Sequence, residues 1–172
     1  MKALLVAVLV VVLVGDGRAQ LVPRTRAVTL DKSVVTFPPG EYGKLLLLLI
    51  SFSHKGEREC DQWNQRLKPA YLHHAHVDYY ELADFEGVPS FIMHMILHGL
   101  RRQVPRDEQA HFVLMYSNEA EWKKLVGYSR PEDAYVVVAD SGGRVWWQGH
   151  GAGTDAQYSG LQAAIDKLVS KP

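Results

Sequence analysis

The sequence predicts an α/β domain, a three-layer sandwich in which helices cover both faces of a mixed central sheet. Three observations carry this. Leu45–Phe52 opens with five consecutive leucines and Ile50, an apolar run of the kind that a strand covered on both faces requires. From there, strand-like and helix-like stretches alternate along the chain, as α/β folds do. The chain then closes with a hairpin and an amphipathic helix. Tyr135–Ala139 is a β-branched run, Asp140-Ser-Gly-Gly143 a turn, and Arg144–Gln148 an antiparallel return.

Taken in order, Gln20–Ala27 is polar and expected to be unstructured, and Val28–Leu30 with Val34–Phe37 predicts a small entry hairpin around Asp31-Lys32. Pro38-Pro39-Gly40 breaks the chain before the leucine run. Ser53–Gly56 reads as a loop and Glu57–Leu67 as a helix stopped by Pro69. His76–Leu82 alternates weakly and predicts the next strand. Pro89–Arg102 predicts a helix ending near Gly99, with Met93 and Met95 in the core and Arg101, Arg102 and Arg106 at a solvated end. The polar stretch Pro105–Gln109 leads to a strand at Phe112–Tyr116, and Asn118 is expected to cap a helix reaching Val126. Thr154-Asp-Ala-Gln157 matches a capping box, and Leu161, Ala164, Ile165, Leu168 and Val169 form the apolar stripe of the last helix. Trp63 and Trp122 are expected to pack from helices onto the sheet, while adjacent Trp146 and Trp147 must face opposite sides of a strand.

The chain has 172 residues, zero formal charge, and one cysteine, Cys60. Lys2, the twelve apolar residues Ala3–Val14 and the small residues around Ala19 have the pattern of a signal peptide over residues 1–19. Twelve apolar residues fall short of the roughly 20 that span a bilayer. The reading is export, to a bacterial periplasm, with membrane anchoring through an uncleaved N-terminal segment as the alternative. Residues 20–172 then form a single domain. Balanced charge supplies no field for nucleic acid. A lone cysteine forbids an internal disulfide, so the fold must stand on its core.

Two histidine patterns have metal-like spacing: His73-His74-x-His76, and His94 with His98 at i and i+4. Neither has thiolates or a carboxylate cluster beside it, so no metal and no cofactor is expected; His94 and His98 are the alternative metal pair. The loop Gly149-His-Gly-Ala-Gly153 precedes a capped helix but lacks the lysine of a phosphate-binding loop, and reads as a turn.

The closing hairpin and helix, with the strand–loop–helix at Leu45–Leu67, resemble the thioredoxin-like fold. In that fold's oxidoreductases the first core strand leads to Cys-x-x-Cys at a helix N-terminus, where the helix dipole favours the thiolate. The resemblance puts Glu57 in the place of the attacking cysteine and Cys60 in that of the resolving one. It also implies a cis-proline before the strand Tyr135–Ala139, a position held here by Ala134, with Pro131 three residues too early. A further resemblance is carried by Asp61-Gln-Trp63, by Gly99-Leu-Arg-Arg-Gln-Val-Pro105, and by Asp140-Ser-Gly-Gly-Arg144 with Trp147 and Gly151. These segments look like the mitochondrial ATP synthase assembly factor family, whose best-known member assists assembly of the membrane-embedded proton-conducting sector. That resemblance implies a thioredoxin-like fold, an assembly role without dithiol chemistry, and a protein client at a membrane. Partner contact is then expected around Glu57, Cys60, Ala134, Gly149, His150 and Gly151. A thiol-dependent peroxidase or oxidoreductase using Cys60 alone is the alternative.

Overall fold

A computed structural model of the chain describes residues 20–40 and 43–170. The signal peptide expected over residues 1–19 lies outside the described residues. Seven strands form one mixed sheet: β1 (Thr25–Thr29), β2 (Val34–Phe37), β3 (Leu45–Ser51), β4 (Val77–Asp84), β5 (Phe112–Met115), β6 (Tyr135–Ala139) and β7 (Val145–His150), in the spatial order β2-β1-β5-β4-β3-β6-β7. β3, β4 and β5 run parallel, with antiparallel partners on either side: β1 beside β5, and β6 beside β3. The α-helices among the described residues are α1 (Glu57–Tyr71), α2 (Ser90–Gln103), α3 (Glu119–Val126) and α4 (Asp155–Val169).

β3 sits inside the sheet and is buried on both faces. Leu45, Leu47 and Leu49 point to a core shared with Cys60, Trp63, Leu67 and Tyr71 of α1 and Leu161 and Ile165 of α4. Leu46, Leu48 and Ile50 point the other way, to Phe37 and to Trp122, Leu125 and Val126 of α3. A third, smaller cluster of Leu30, Phe112 and Leu114 receives Leu97 and Leu100 from α2. The predicted capping box is formed: Thr154 Oγ1 accepts from the Gln157 N–H at 3.3 Å, and Gln157 Oε1 accepts from the Thr154 N–H at 3.3 Å.

Several elements differ from the sequence reading, each for a local reason. α1 runs through Pro69 to Tyr71, because Leu67 and Tyr71 both pack into the core and proline removes a single helical donor in the last turn. α2 passes Gly99 and ends only before Pro105; the Val104 N–H donates to the Leu100 carbonyl. Met93 is buried as expected, but Met95 is 70 % exposed and so is not a core residue. Asn118 stands at φ 69° and makes no side-chain cap; its amide donates to the Arg24 carbonyl, and the Glu86 carboxylate accepts from the Glu119 N–H at 2.8 Å instead. Arg101 is not purely solvated, since its Nε donates to the Leu30 carbonyl at 3.1 Å. Residues 20–27 are tied down: the Val22 N–H donates to Gly143, the Val145 N–H to Gln20, and β1 starts at Thr25.

The closing helix should carry a measurable share of stability. Ile165→Ala removes a side chain buried against β3 and is expected to cost roughly 2–5 kcal/mol. Thr154→Ala removes one cap and should cost about 1 kcal/mol. Urea unfolding of both variants checks this ordering, and equal, negligible losses would show that α4 does not hold the sheet.

Candidate functional site

The C-terminal end of β3 delivers the chain into the turn Ser53–Gly56 and the first residues of α1. This turn is clamped to the loop before β6. Ser53 Oγ donates to the Pro131 carbonyl, and a Cβ at Gly56 would stand 3.1 Å from the Asp133 carbonyl oxygen, a tight contact that would press the two backbones apart by a few tenths of an ångström. Glu59 reaches across from α1, its Oε2 accepting from the Ala134 N–H at 3.0 Å. The Ala134 carbonyl accepts from the Gly151 N–H at 2.8 Å, and the Gly151 carbonyl accepts from Trp63 Nε1 at 2.8 Å. Gly153 lies flat on Trp63, where a Cβ would come within 3.0 Å of the indole. The residues expected from sequence, Glu57, Cys60, Ala134, Gly149, His150 and Gly151, therefore gather at one end of the sheet.

Their exposure divides them. Glu57 and His150 are exposed, whereas Cys60 and Ala134 are buried. Both backbone groups of Ala134 are occupied, so it offers no free hydrogen bond to a partner. Glu57 pairs with Nδ1 of His54 at 2.7 Å. His150 is oriented from two sides: its Nδ1 is 2.7 Å from Oδ2 of the buried Asp133, and its ring stacks on Tyr135 at 5.9 Å. Among the described residues the cis peptide bond is at Phe37-Pro38, in the entry segment and not before β6.

Cys60 lies one turn into α1, facing the sheet. Burial pushes its thiol well above the ordinary range, and the charges of Glu81, Asp61 and Glu59 push it further, against a hydrogen bond with Ser51. The usual activating elements of a thiolate are reversed here: carboxylates surround it and water is excluded. The thiol is expected to react with a water-soluble aromatic disulfide roughly 100-fold more slowly in the native protein than in the urea-unfolded chain. Comparable rates would show that the thiol is accessible.

Beside Cys60 opens a cleft of about 890 Å3 between α1 and α2. No sequence pattern pointed to it, since it arises where two helices on the same sheet face fail to meet. Beneath the cleft, Asn64 links Tyr79 to Glu81: Tyr79 Oη donates to Asn64 Oδ1 at 2.5 Å, and Asn64 Nδ2 donates to Glu81 Oε2 at 2.9 Å. Lys68 Nζ bridges Glu81 at 3.5 Å and Glu108 at 2.7 Å. Burial raises the Glu81 carboxyl despite the opposing Lys68 charge and Asn64 hydrogen bond. For Lys68, burial alone would lower the ammonium, but attraction to Glu81 and Glu108 wins and the net shift is upward.

At the far end of β4, burial pushes the Asp84 carboxyl up to about 6, with the neighbouring Glu119 carboxylate adding to the rise. Glu119 itself is held low, chiefly by the hydrogen bond from Lys123, so Asp84 is the member of the pair that takes a proton. The folded carboxyl titrates near 6 and the unfolded one near 3.8, so the folded state binds more protons across that window. The stabilising contribution of this group is therefore full below about pH 4 and is lost as pH rises through 6. Asp84→Asn cannot ionise. Its stability relative to wild type should rise by about 1 kcal/mol between pH 4 and pH 7, after allowance for partial exposure. A difference that does not change with pH, read from urea unfolding, would contradict this assignment.

The histidines do not assemble a centre. His94 and His98 lie exposed on α2, and His73 and His111 face each other at 6.3 Å. Among the described residues no three His, Cys, Asp or Glu side chains are grouped to hold a metal ion.

No protein-family model and no curated protein sequence matches the chain. Solved structures do. The chain is similar to a protein assigned as the thiol:disulfide interchange protein DsbE of Chlorobium tepidum, at 17 % identity and a TM-score of 0.57, over 88 % of this chain and 97 % of that one. It is similar to BsSco, a member of the Sco family of cytochrome c oxidase assembly proteins, at 10 % identity and a TM-score of 0.57, over 91 % of this chain and 98 % of that one. It is also similar to the exposed lipoprotein thioredoxin Etrx1 of Streptococcus pneumoniae, at 9 % identity and a TM-score of 0.50, over 84 % of this chain and 99 % of that one. At these identities the likeness establishes the fold, and the fold is thioredoxin-like. The structures named are thiol–disulfide proteins and a cytochrome oxidase assembly protein, not ATP synthase assembly factors. Among the described residues no helix is long and apolar enough to cross a membrane.

Proposed function

We propose that this protein is an exported, non-catalytic thioredoxin-like module that binds a protein client and acts in assembly rather than in thiol chemistry. The observation that carries this reading is the pair Glu57 and Cys60. An exposed carboxylate stands where the attacking thiol of a dithiol site would be, and the chain's one thiol is buried in the resolving position among carboxylates. Dithiol exchange needs a second sulfur to release the mixed disulfide, and none is available within the chain. The exposed Glu57 and the oriented His150 flank this end of the sheet and are the groups a client would meet. Export is supported by the pattern of residues 1–19 and by the lipoprotein among the similar structures. The finer reading, assembly of ATP synthase, rests on the sequence resemblance alone.

Purified protein is expected to leave insulin disulfides intact and to consume peroxide no faster than Cys60→Ser does. Turnover that disappears in that variant would overturn the reading in favour of a single-thiol peroxidase or oxidoreductase. Photocrosslinkers placed at Glu57 and at His150 should capture the same client in cells, and one at Lys167 on α4 should not.

A further inference from the structure

The cleft between α1 and α2 has two unlike walls. On the α1 side Glu57, Asp61, Asn64 and Lys68 follow one another at helical spacing along one face. On the α2 side Ile92, Met95, Ile96 and Leu100 do the same. Two helices on one sheet face normally pack apolar stripe against apolar stripe. Here the apolar stripe of α2 looks across a gap at carboxylates, with Met95 70 % exposed and Phe91 beside it 77 % exposed. Lys68 is already engaged by Glu81 and Glu108. Glu57, Asp61, Glu81, Asp84 and Glu108 line the cleft against that one lysine and His54. Asp61 is exposed and makes no ion pair among the described residues.

Charge selects the occupant. An acidic cleft repels nucleic acid and anionic membrane surfaces, and a purely apolar ligand would leave the carboxylate wall without partners. The wall from Glu57 to Lys68 is about 16 Å long at helical rise. That length matches about five extended residues, so the opening is a groove for a chain rather than a pit for a small molecule. We propose that this cleft docks a segment of another protein carrying lysine or arginine along one edge and apolar side chains along the other. The cations lie against Asp61 and Glu57, and the apolar side chains cover Ile92, Met95 and Ile96. This specifies the partner chemistry for the client-binding reading above and rests on it. The groove reaches the partner surface at Glu57, which lines the cleft and is exposed at the α1 turn, so a client meeting that turn can continue along α1.

Fluorescence anisotropy of the purified protein tests it, with a seven-residue labelled peptide alternating lysine and leucine as the probe. Control peptides carry glutamate for lysine, or serine for leucine. The lysine–leucine peptide is expected to bind at least tenfold more tightly than either control and to weaken at least tenfold in high salt. Asp61→Lys and Met95→Ser, both at exposed positions that leave the core intact, should each weaken it at least fivefold, whereas Lys167→Ser on α4 should not. Equal binding of all three peptides, or binding indifferent to both groove variants, overturns the docking proposal. Those outcomes are separate from failure of the client reading, which is read from turnover by Cys60 and from the crosslinks at Glu57 and His150.

Discussion

Leu45–Ile50 has three apolar side chains on each face, and both faces are out of water. α1, α3 and α4 are placed by the need to cover this strand. Exposing one buried leucine would cost roughly 1.5–3 kcal/mol, against a typical net domain stability of about 5–15 kcal/mol. Neither face can therefore be left bare. Parallel neighbours cannot be joined by a tight turn, so α1 must cross one face to reach β4. α3 takes the opposite face and α4 returns to the first. The hairpin β6–β7 extends the sheet on the far side of β3, and Thr154 then turns the chain into α4.

This arrangement also explains why the candidate site lies where it does. The same strand that needs Trp63 and Leu67 above it ends at Ser51, and the turn after it must drop straight into α1. Trp63 is fixed in the core at one end and hydrogen-bonded through its indole to Gly151 at the other. The loop after β7 is thereby held against α1. Glu59 performs the matching task for the loop before β6, through the amide of Ala134. The end of the sheet is tied by a relay of hydrogen bonds that runs from the Glu59 carboxylate through the backbones of Ala134 and Gly151 to the Trp63 indole. That network positions Glu57 and His150 outward and keeps Cys60 inward.

Most of the fold was legible because its signals are local. The leucine run, the Asp140–Gly143 turn and the Thr154–Gln157 box each fix an element without reference to the rest of the chain. The failures were tertiary. Pro69 is a helix breaker by propensity, yet Leu67 and Tyr71 on either side of it are held by the sheet, and packing outweighed one lost donor. Asn118 is a capping residue by type, but its amide was claimed by the Arg24 carbonyl and Thr25, and a carboxylate 33 residues earlier took over the Glu119 N–H. Of the candidate site, Glu57 and Cys60 could be placed from spacing after the leucine run. The cleft could not, because Met95 stands about 200° around α2 from the buried Met93, and no local signal says that the face carrying Met95 is left without a packing partner.

The electrostatics of α1 tie these features together. A helix N-terminus ordinarily lowers the pKa of a thiol in its first turns. Here burial of Cys60 is the first cause that raises its thiol, and Glu81 below it with Asp61 and Glu59 flanking it add to the rise, so the stabilisation a helix N-terminus would give a thiolate is outweighed. Asp61 and Glu81, two of the carboxylates that raise the thiol, also line the groove. A reactive sulfur and an acidic docking surface would be in conflict on this helix, since each charge that attracts a basic segment also raises the thiol further. With a carboxylate already in the attacking position, that conflict does not arise. Replacing Glu57 with cysteine would therefore not by itself restore dithiol chemistry: Cys60 would still be buried, and the acids around it would still oppose its ionisation.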